Sequence, residues 1–130
     1  PWHAPLKHFL LSELAKNKPT LGCCFGHQLI CEGFGAKVEF LHDNEEKEMG
    51  KRTIKITQSG YGLKEDEIFN LAVTHRQVVR ELPKDLLNIG YGIENDIVIH
   101  RTLPFLGTQA HPEGSTHFCT HDITNLSSSD

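Results

Sequence analysis

Leu21-Gly22-Cys23-Cys24-Phe25-Gly26-His27-Gln28 joins two different patterns. Before it, Pro19 to Cys23 reads as a short strand. After it, Gly26 to Phe34 sets Leu29, Ile30 and Phe34 at helical spacing, and Gly33 and Gly35 mark the helix end. A strand running straight into a helix bends sharply, and the residue at the bend is forced into a strained backbone conformation. Such an elbow calls for very small residues two before and two after its apex. Around Cys24 those positions are Gly22 and Gly26, whereas around Cys23 they are Leu21 and Phe25. Cys24 is therefore the expected apex and a candidate nucleophile. A thiol at a helix N-terminus feels the positive end of the macrodipole, which favours thiolate over the ordinary pKa of about 8.5. The backbone N–H of Phe25 is then expected to form half of an oxyanion hole.

Outward from the elbow, Ala4 to Asn17 carries Leu6, Phe9, Leu10 and Leu14 at spacings that suit an amphipathic helix. Downstream, strands are expected over Lys37–Phe40, Arg52–Thr57, Phe69–Thr74, Leu87–Tyr91, Asp96–Arg101 and Phe105–Gln109. The acidic stretch Asp43 to Glu48 reads as a solvated loop, Asp85 and Asp96 as turn or strand-edge residues, and Ser115 to Leu126 as a short helix. Helix–strand alternation followed by several strands predicts a single α/β sandwich domain with a mostly parallel sheet.

Composition narrows the function classes. The chain has 130 residues, 38% hydrophobic and 23% charged, enough for a core without disulfides or metals. A net charge of −4 and a pI near 6.1 leave no electrostatic footprint for nucleic acid. No apolar run is long enough to span a bilayer and no signal peptide opens the sequence, so a cytoplasmic setting is expected. Cys23, Cys24, Cys31 and Cys119 are expected to be reduced thiols. His117, Cys119 and His121 cluster near the end without the spacing of a recognised metal motif, so neither metal nor cofactor is expected. The start at Pro1 and the polar Ser127-Ser128-Ser129-Asp130 end suggest a fragment of a longer protein.

A cysteine nucleophile needs a base, and the base needs an orienter. Among nine histidines, His111 follows a strand and precedes Pro112-Glu113. Pro112 restricts His111 to extended backbone, so the dipeptide can hold the Glu113 carboxylate near the imidazole.

Gly22-x-Cys24-x-Gly26-His27-Gln28, with Gly107-Thr108-Gln109-Ala110-His111-Pro112-Glu113 downstream, resembles the class I (triad) glutamine amidotransferases. Thr74-His75-Arg76-Gln77-Val78-Val79-Arg80-Glu81-Leu82-Pro83 resembles a third segment of that family, Ser-His-x-Asp-x-Val-x-x-Leu-Pro. The resemblance covers most of Pro1 to Gly114 and suits a GMP-synthase-glutaminase-like or γ-glutamyl-peptidase-like branch. It implies a flavodoxin-like three-layer sandwich with a nucleophile elbow, whose first strand–helix–strand unit is missing ahead of Pro1. It also implies a catalytic triad of Cys24, His111 and Glu113, hydrolysing glutamine through a γ-glutamyl thioester. Gly22, Phe25, Gln28, Thr74, His75 and Arg76 would shape the elbow and the substrate pocket. Ammonia would pass to a synthetase domain or subunit. The chain departs from the family at Gln77, which stands for the aspartate, and at Gly114-Ser115-Thr116-His117, where a long helix is usual. Gln77 leaves open a γ-glutamyl peptide substrate, and the missing upstream unit leaves open a catalytically silent regulatory domain.

Overall fold

The computed structural model describes residues 3–43 and 45–111. Two helices, α1 (His3–Ala15) and α2 (Phe25–Gly33), pack on each other and on one face of a sheet. Leu14 of α1 is fully buried, with Leu10 and Leu11 packed beside it. Phe9 is 57% exposed, so the buried stripe runs through Leu10, Leu11 and Leu14 rather than through Phe9 as the spacing suggests.

The strands are β1 (Thr20–Cys23), β2 (Lys37–Phe40), β3 (Glu48–Ile56), β4 (Ile68–His75), β5 (Gln77–Glu81), β6 (Leu86–Tyr91), β7 (Asn95–His100) and β8 (Phe105–Thr108). Six of them form one sheet in the order β1-β8-β7-β6-β3-β4, and β2 pairs with β5 separately. The α/β class is as expected, but the sheet is mixed rather than mostly parallel. Among the described residues only β1 and β8 run parallel, and the other pairings are antiparallel. The connections explain this. Residues 92–94 join β6 to β7 and residues 101–104 join β7 to β8, far too few for the crossover a parallel pair needs.

β5 is not among the strands that the sequence pattern predicts. Val78 and Val79 are both buried, so it shows no alternation, and its pairing with β2 is irregular at Lys37/Val38. The acidic stretch also ends sooner than expected. Glu48 belongs to β3 and is partly buried, with its carboxylate 2.9 Å from His42 Nε2.

Alternation along the strands divides the core in two. Phe105, Val98 and Leu86 face the helices and pack with Leu14, Ile30, Cys31, Ala36 and Val79. Leu106, Ile97 and Ile89 face the other way and pack against Ile54, Ile56, Phe69, Leu71 and Val73 of the β3–β4 pair. The sheet therefore curls so that β3 and β4 help cover its second face. Among the described residues, both helices lie on the first face. This arrangement sets the β1–α2 junction beside the C-terminal ends of β4 and β8.

Candidate active site

Cys24 is the single residue between β1 and α2, and it adopts φ 49° and ψ −102°. That combination lies outside the regions L-residues normally populate and costs on the order of 1–3 kcal/mol. Its N–H donates to Thr108 O at 2.7 Å, and its C=O accepts from Gln28 N–H at 3.0 Å. Both neighbours thus hold the bend. A Cβ on Gly22 would stand 3.0 Å from the Gly26 carbonyl carbon and the His27 nitrogen, so a larger residue fits only if the helix backbone gives way by a few tenths of an ångström. The same argument does not extend to Gly26, where a Cβ would meet nothing within 4 Å. The expectation of two sterically required glycines therefore holds at Gly22 alone.

Cys24 Sγ lies 3.5 Å from Thr74 O and 3.5 Å from Gln109 Nε2. It opens into a cavity of about 400 Å³ lined by Cys24, Gln28, Phe40, Lys47, His75, Arg76 and Gln77. Phe25 begins α2 and is 41% exposed, its ring tilted against His3 at a centroid distance of 5.3 Å. Backbone N–H groups in this first turn point out of the helix end toward the bend.

His111 reaches the same corner from β8. Its N–H donates to Ala72 O at 2.8 Å, two residues before the Thr74 carbonyl that faces Cys24 Sγ. The histidine backbone and the thiol are therefore both anchored to one stretch of β4 about 7 Å long. Glu113, with Pro112, lies outside the described residues, as do Trp2, His117, Cys119, His121 and the Ser115–Leu126 segment.

The other candidate residues play different parts. Gln28 is buried, and its Nε2 donates to Gln77 O at 2.9 Å and to Gln109 Oε1 at 3.1 Å. Thr74 contributes its carbonyl, and Arg76 lies exposed on the cavity wall. His75 is buried, with Nε2 3.0 Å from Arg52 Nη2 and Nδ1 2.8 Å from Gln77 O. Since a guanidinium only donates and a carbonyl only accepts, the imidazole must be neutral with its proton on Nδ1. Burial lowers its pKa, opposed in part by the Gln77 carbonyl and by the Asp96 and Glu48 charges, while the Arg52 charge adds to the lowering.

Four residues at or behind the site are not among the site residues expected from the sequence, although Gln77 and Gln109 lie within the family-like segments. Gln109 bridges Gln28 and the Cys24 sulfur, and Gln77 supplies the carbonyl shared by Gln28 and His75. Arg52 and Asp96 form a buried ion pair at 2.7 Å behind His75. The sequence pattern places Asp96 in a turn or at a strand edge. Its Oδ2 does accept from the turn amides of Gly92, Ile93 and Glu94, but the side chain is buried. Gln109 carries a further legible signal, a polar side chain at the end of an apolar strand, where burial demands partners.

Among the described residues, Cys23, Cys24 and Cys31 are reduced thiols, and no three His, Cys, Asp or Glu side chains are grouped to hold a metal ion. No helix among them is long and apolar enough to cross a membrane.

The glutamine-hydrolyzing GMP synthase subunit of Methanopyrus kandleri is 33% identical to this chain over 106 residues, covering 80% of the chain and 56% of that protein. Anthranilate synthase component 2 of Methanocaldococcus jannaschii is 31% identical over 100 residues, covering 73% and 49%. The chain thus spans about half the length of the curated relatives it matches. The fold is that of solved glutamine amidotransferases. The Thermotoga maritima structure superposes with a TM-score of 0.72 at 19% identity, over 96% of this chain and 54% of the other. The pattern of the family "Glutamine amidotransferase class-I" matches residues 4–125, nearly the whole sequence, and the chain belongs to that family.

Proposed function

We propose that the protein hydrolyses the side-chain amide of glutamine through a γ-glutamyl thioester on Cys24 and supplies the ammonia to a synthetase domain or subunit. The observation that carries this reading is the strained elbow at Cys24, with its sulfur open to a cavity of about 400 Å³. A cavity of that size suits a small-molecule ligand. Lys47 and Arg76 on its wall offer positive charge to a substrate carboxylate, and the Gln28 carbonyl oxygen offers an acceptor to its amino group.

In the proposed reaction the Cys24 thiolate attacks the amide carbon, and the Phe25 N–H stabilises the developing oxyanion. His111, having taken the thiol proton, returns it to the leaving nitrogen, and ammonia departs as the thioester forms. His111 then deprotonates a water that attacks the thioester, and glutamate leaves as the proton returns to sulfur. Glu113 is assigned the role of orienting the imidazole. The names of the two relatives above, each a subunit or component of a synthase, support an ammonia-accepting partner.

Gln77 favours weighing a second substrate. A neutral amide where the family has a carboxylate weakens the hold on a free amino group, so a γ-glutamyl peptide is the alternative.

Glutamate release from glutamine and from a γ-glutamyl peptide, measured side by side on the full-length protein, tests these readings. Cys24→Ser is expected to lower release from glutamine by at least about 10³-fold, while Cys23→Ser leaves it within a few-fold. Release from the peptide alone would reject glutamine as the substrate. Failure of both substrates, with no adduct on Cys24 from a diazo-ketone glutamine analogue, would show a catalytically silent domain.

A further inference from the structure

The side-chain amides behind Cys24 form a chain whose direction is fixed by its far end. Gln77 contributes a backbone carbonyl, which can only accept. Gln28 must therefore present its NH₂ to it, and the same Nε2 lies 3.1 Å from Gln109. An NH₂ group donating to Gln109 requires the Gln109 oxygen on that side. The Gln109 NH₂ must then face the Cys24 sulfur, from which it lies 3.5 Å away. Amide oxygen and nitrogen are ordinarily hard to tell apart, but here the network leaves one orientation. The far end is itself braced, because Gln77 O also accepts from His75 Nδ1.

The sulfur thus sits between an acceptor and a donor. Thr74 O, 3.5 Å away, can take a hydrogen bond from the thiol but repels the thiolate. Gln109 Nε2 can donate to either form and binds the anion more strongly, since hydrogen bonds to charged groups are the stronger kind. Gln109 is 1% exposed, so its side chain is shielded from bulk water.

Resting on the proposed role of Cys24, we infer that Gln109 stabilises the Cys24 thiolate by a side-chain hydrogen bond, polarised through Gln28 from the Gln77 carbonyl. Gln109 is a positioning and charge-stabilising residue for the nucleophile. It adds a donor that acts before substrate arrives, distinct from the backbone N–H of Phe25, which is proposed to act on the substrate oxygen. Lys47, His75 and Arg76 on the cavity wall and His111 beside β4 also bear on the sulfur.

The test is the pH dependence of alkylation of Cys24 by iodoacetamide in the full-length protein, with the modified residue located by peptide mass. Gln109→Met keeps the length of the side chain and removes the donor. Its alkylation midpoint is expected about one pH unit above that of the unsubstituted protein, with the plateau rate at high pH nearly unchanged. A merely structural role would change the plateau or the melting temperature and leave the midpoint alone. In the unsubstituted protein, the Gln109 side-chain amide protons are expected to shift in ¹⁵N-resolved NMR spectra at the same midpoint as alkylation. This second measurement stands even if Gln109→Met fails to fold. An unmoved midpoint with alkylation still on Cys24, or amide protons that stay fixed through the titration, would overturn the role of Gln109 alone. No alkylation of Cys24 at any pH would overturn the nucleophile reading and this inference with it.

Discussion

A methyl group added to Gly22 would stand 3.0 Å from the Gly26 carbonyl carbon and from the His27 nitrogen, both of them backbone atoms that cannot swing aside. Gly22→Ala is therefore expected to push α2 away from β1 and displace Cys24. The backbone has to give by a few tenths of an ångström, so the rate is expected to fall by less than the roughly 10²-fold that a misplacement of about 1 Å can cost, and overpacking of this kind costs about 1–3 kcal/mol in stability. Gly26→Ala should do neither, because nothing lies within 4 Å of the added carbon. Urea denaturation and glutamate release, run on both variants, check the contrast. Equal loss in the two would mean that the bend is constrained by something other than the Gly22–Gly26 approach. The apex itself was legible because Leu21 and Phe25 excluded Cys23, and the structure gives Cys24 the positive φ. The different roles of the two glycines were not legible, since sequence spacing is symmetric about Cys24 while the strand and helix backbones approach it from different sides.

At the scale of elements, the buried Arg52–Asp96 pair connects three parts of the sheet. Asp96 at the start of β7 caps the β6–β7 turn through three amide donors at 2.8, 2.8 and 3.2 Å. Arg52 on β3 bonds Asp96 at 2.7 Å and His75 at the end of β4 at 3.0 Å. Removing one partner of such a pair leaves an uncompensated charge in the interior, which typically costs about 3–5 kcal/mol. Arg52→Met is therefore expected to destabilise by that amount in urea and to weaken binding of the proposed substrate as well, since His75 loses one of its two restraints. A loss below about 1 kcal/mol would show that water reaches Asp96 and that the pair contributes little. This network was beyond sequence reasoning because its members lie 44 and 23 residues apart, joined only by β-pairing. Most element positions were legible from alternation and from glycine and proline breaks. β5 was not, because its consecutive buried Val78 and Val79 carry no period of two. The strand directions could have been read from the short 92–94 and 101–104 connections, which allow only antiparallel neighbours.

For the molecule as a whole, the helix layer and the sheet meet over a histidine that must stay neutral. His27 is fully buried on α2, with Nδ1 3.8 Å from Cys31 Sγ and its ring lying on Gly107 of β8, where any side chain would collide with it. Burial brings its pKa down to about 4, and the Asn95 backbone and the Asp96 charge offset this only in part. In the unfolded chain the imidazole titrates near its ordinary 6.5. Between those values the unfolded state holds a proton that the folded state refuses. The stabilisation is therefore complete above about pH 6.5 and is lost as pH falls toward about 4. A difference of this size corresponds to about 3 kcal/mol, a large share of the 5–15 kcal/mol typical of a domain. His75 and His100 are also lowered by burial and push in the same direction. Unfolding free energies measured in urea at pH 7.5 and pH 4.5 should fall steeply with acid for the unsubstituted protein. His27→Met, which fills a similar volume without a titrating group, should remove about 3 kcal/mol of that fall while leaving the contribution of the other two histidines. A His27→Met protein with an undiminished acid sensitivity would place the proton uptake elsewhere and show that the α2–β8 interface tolerates a charged imidazole.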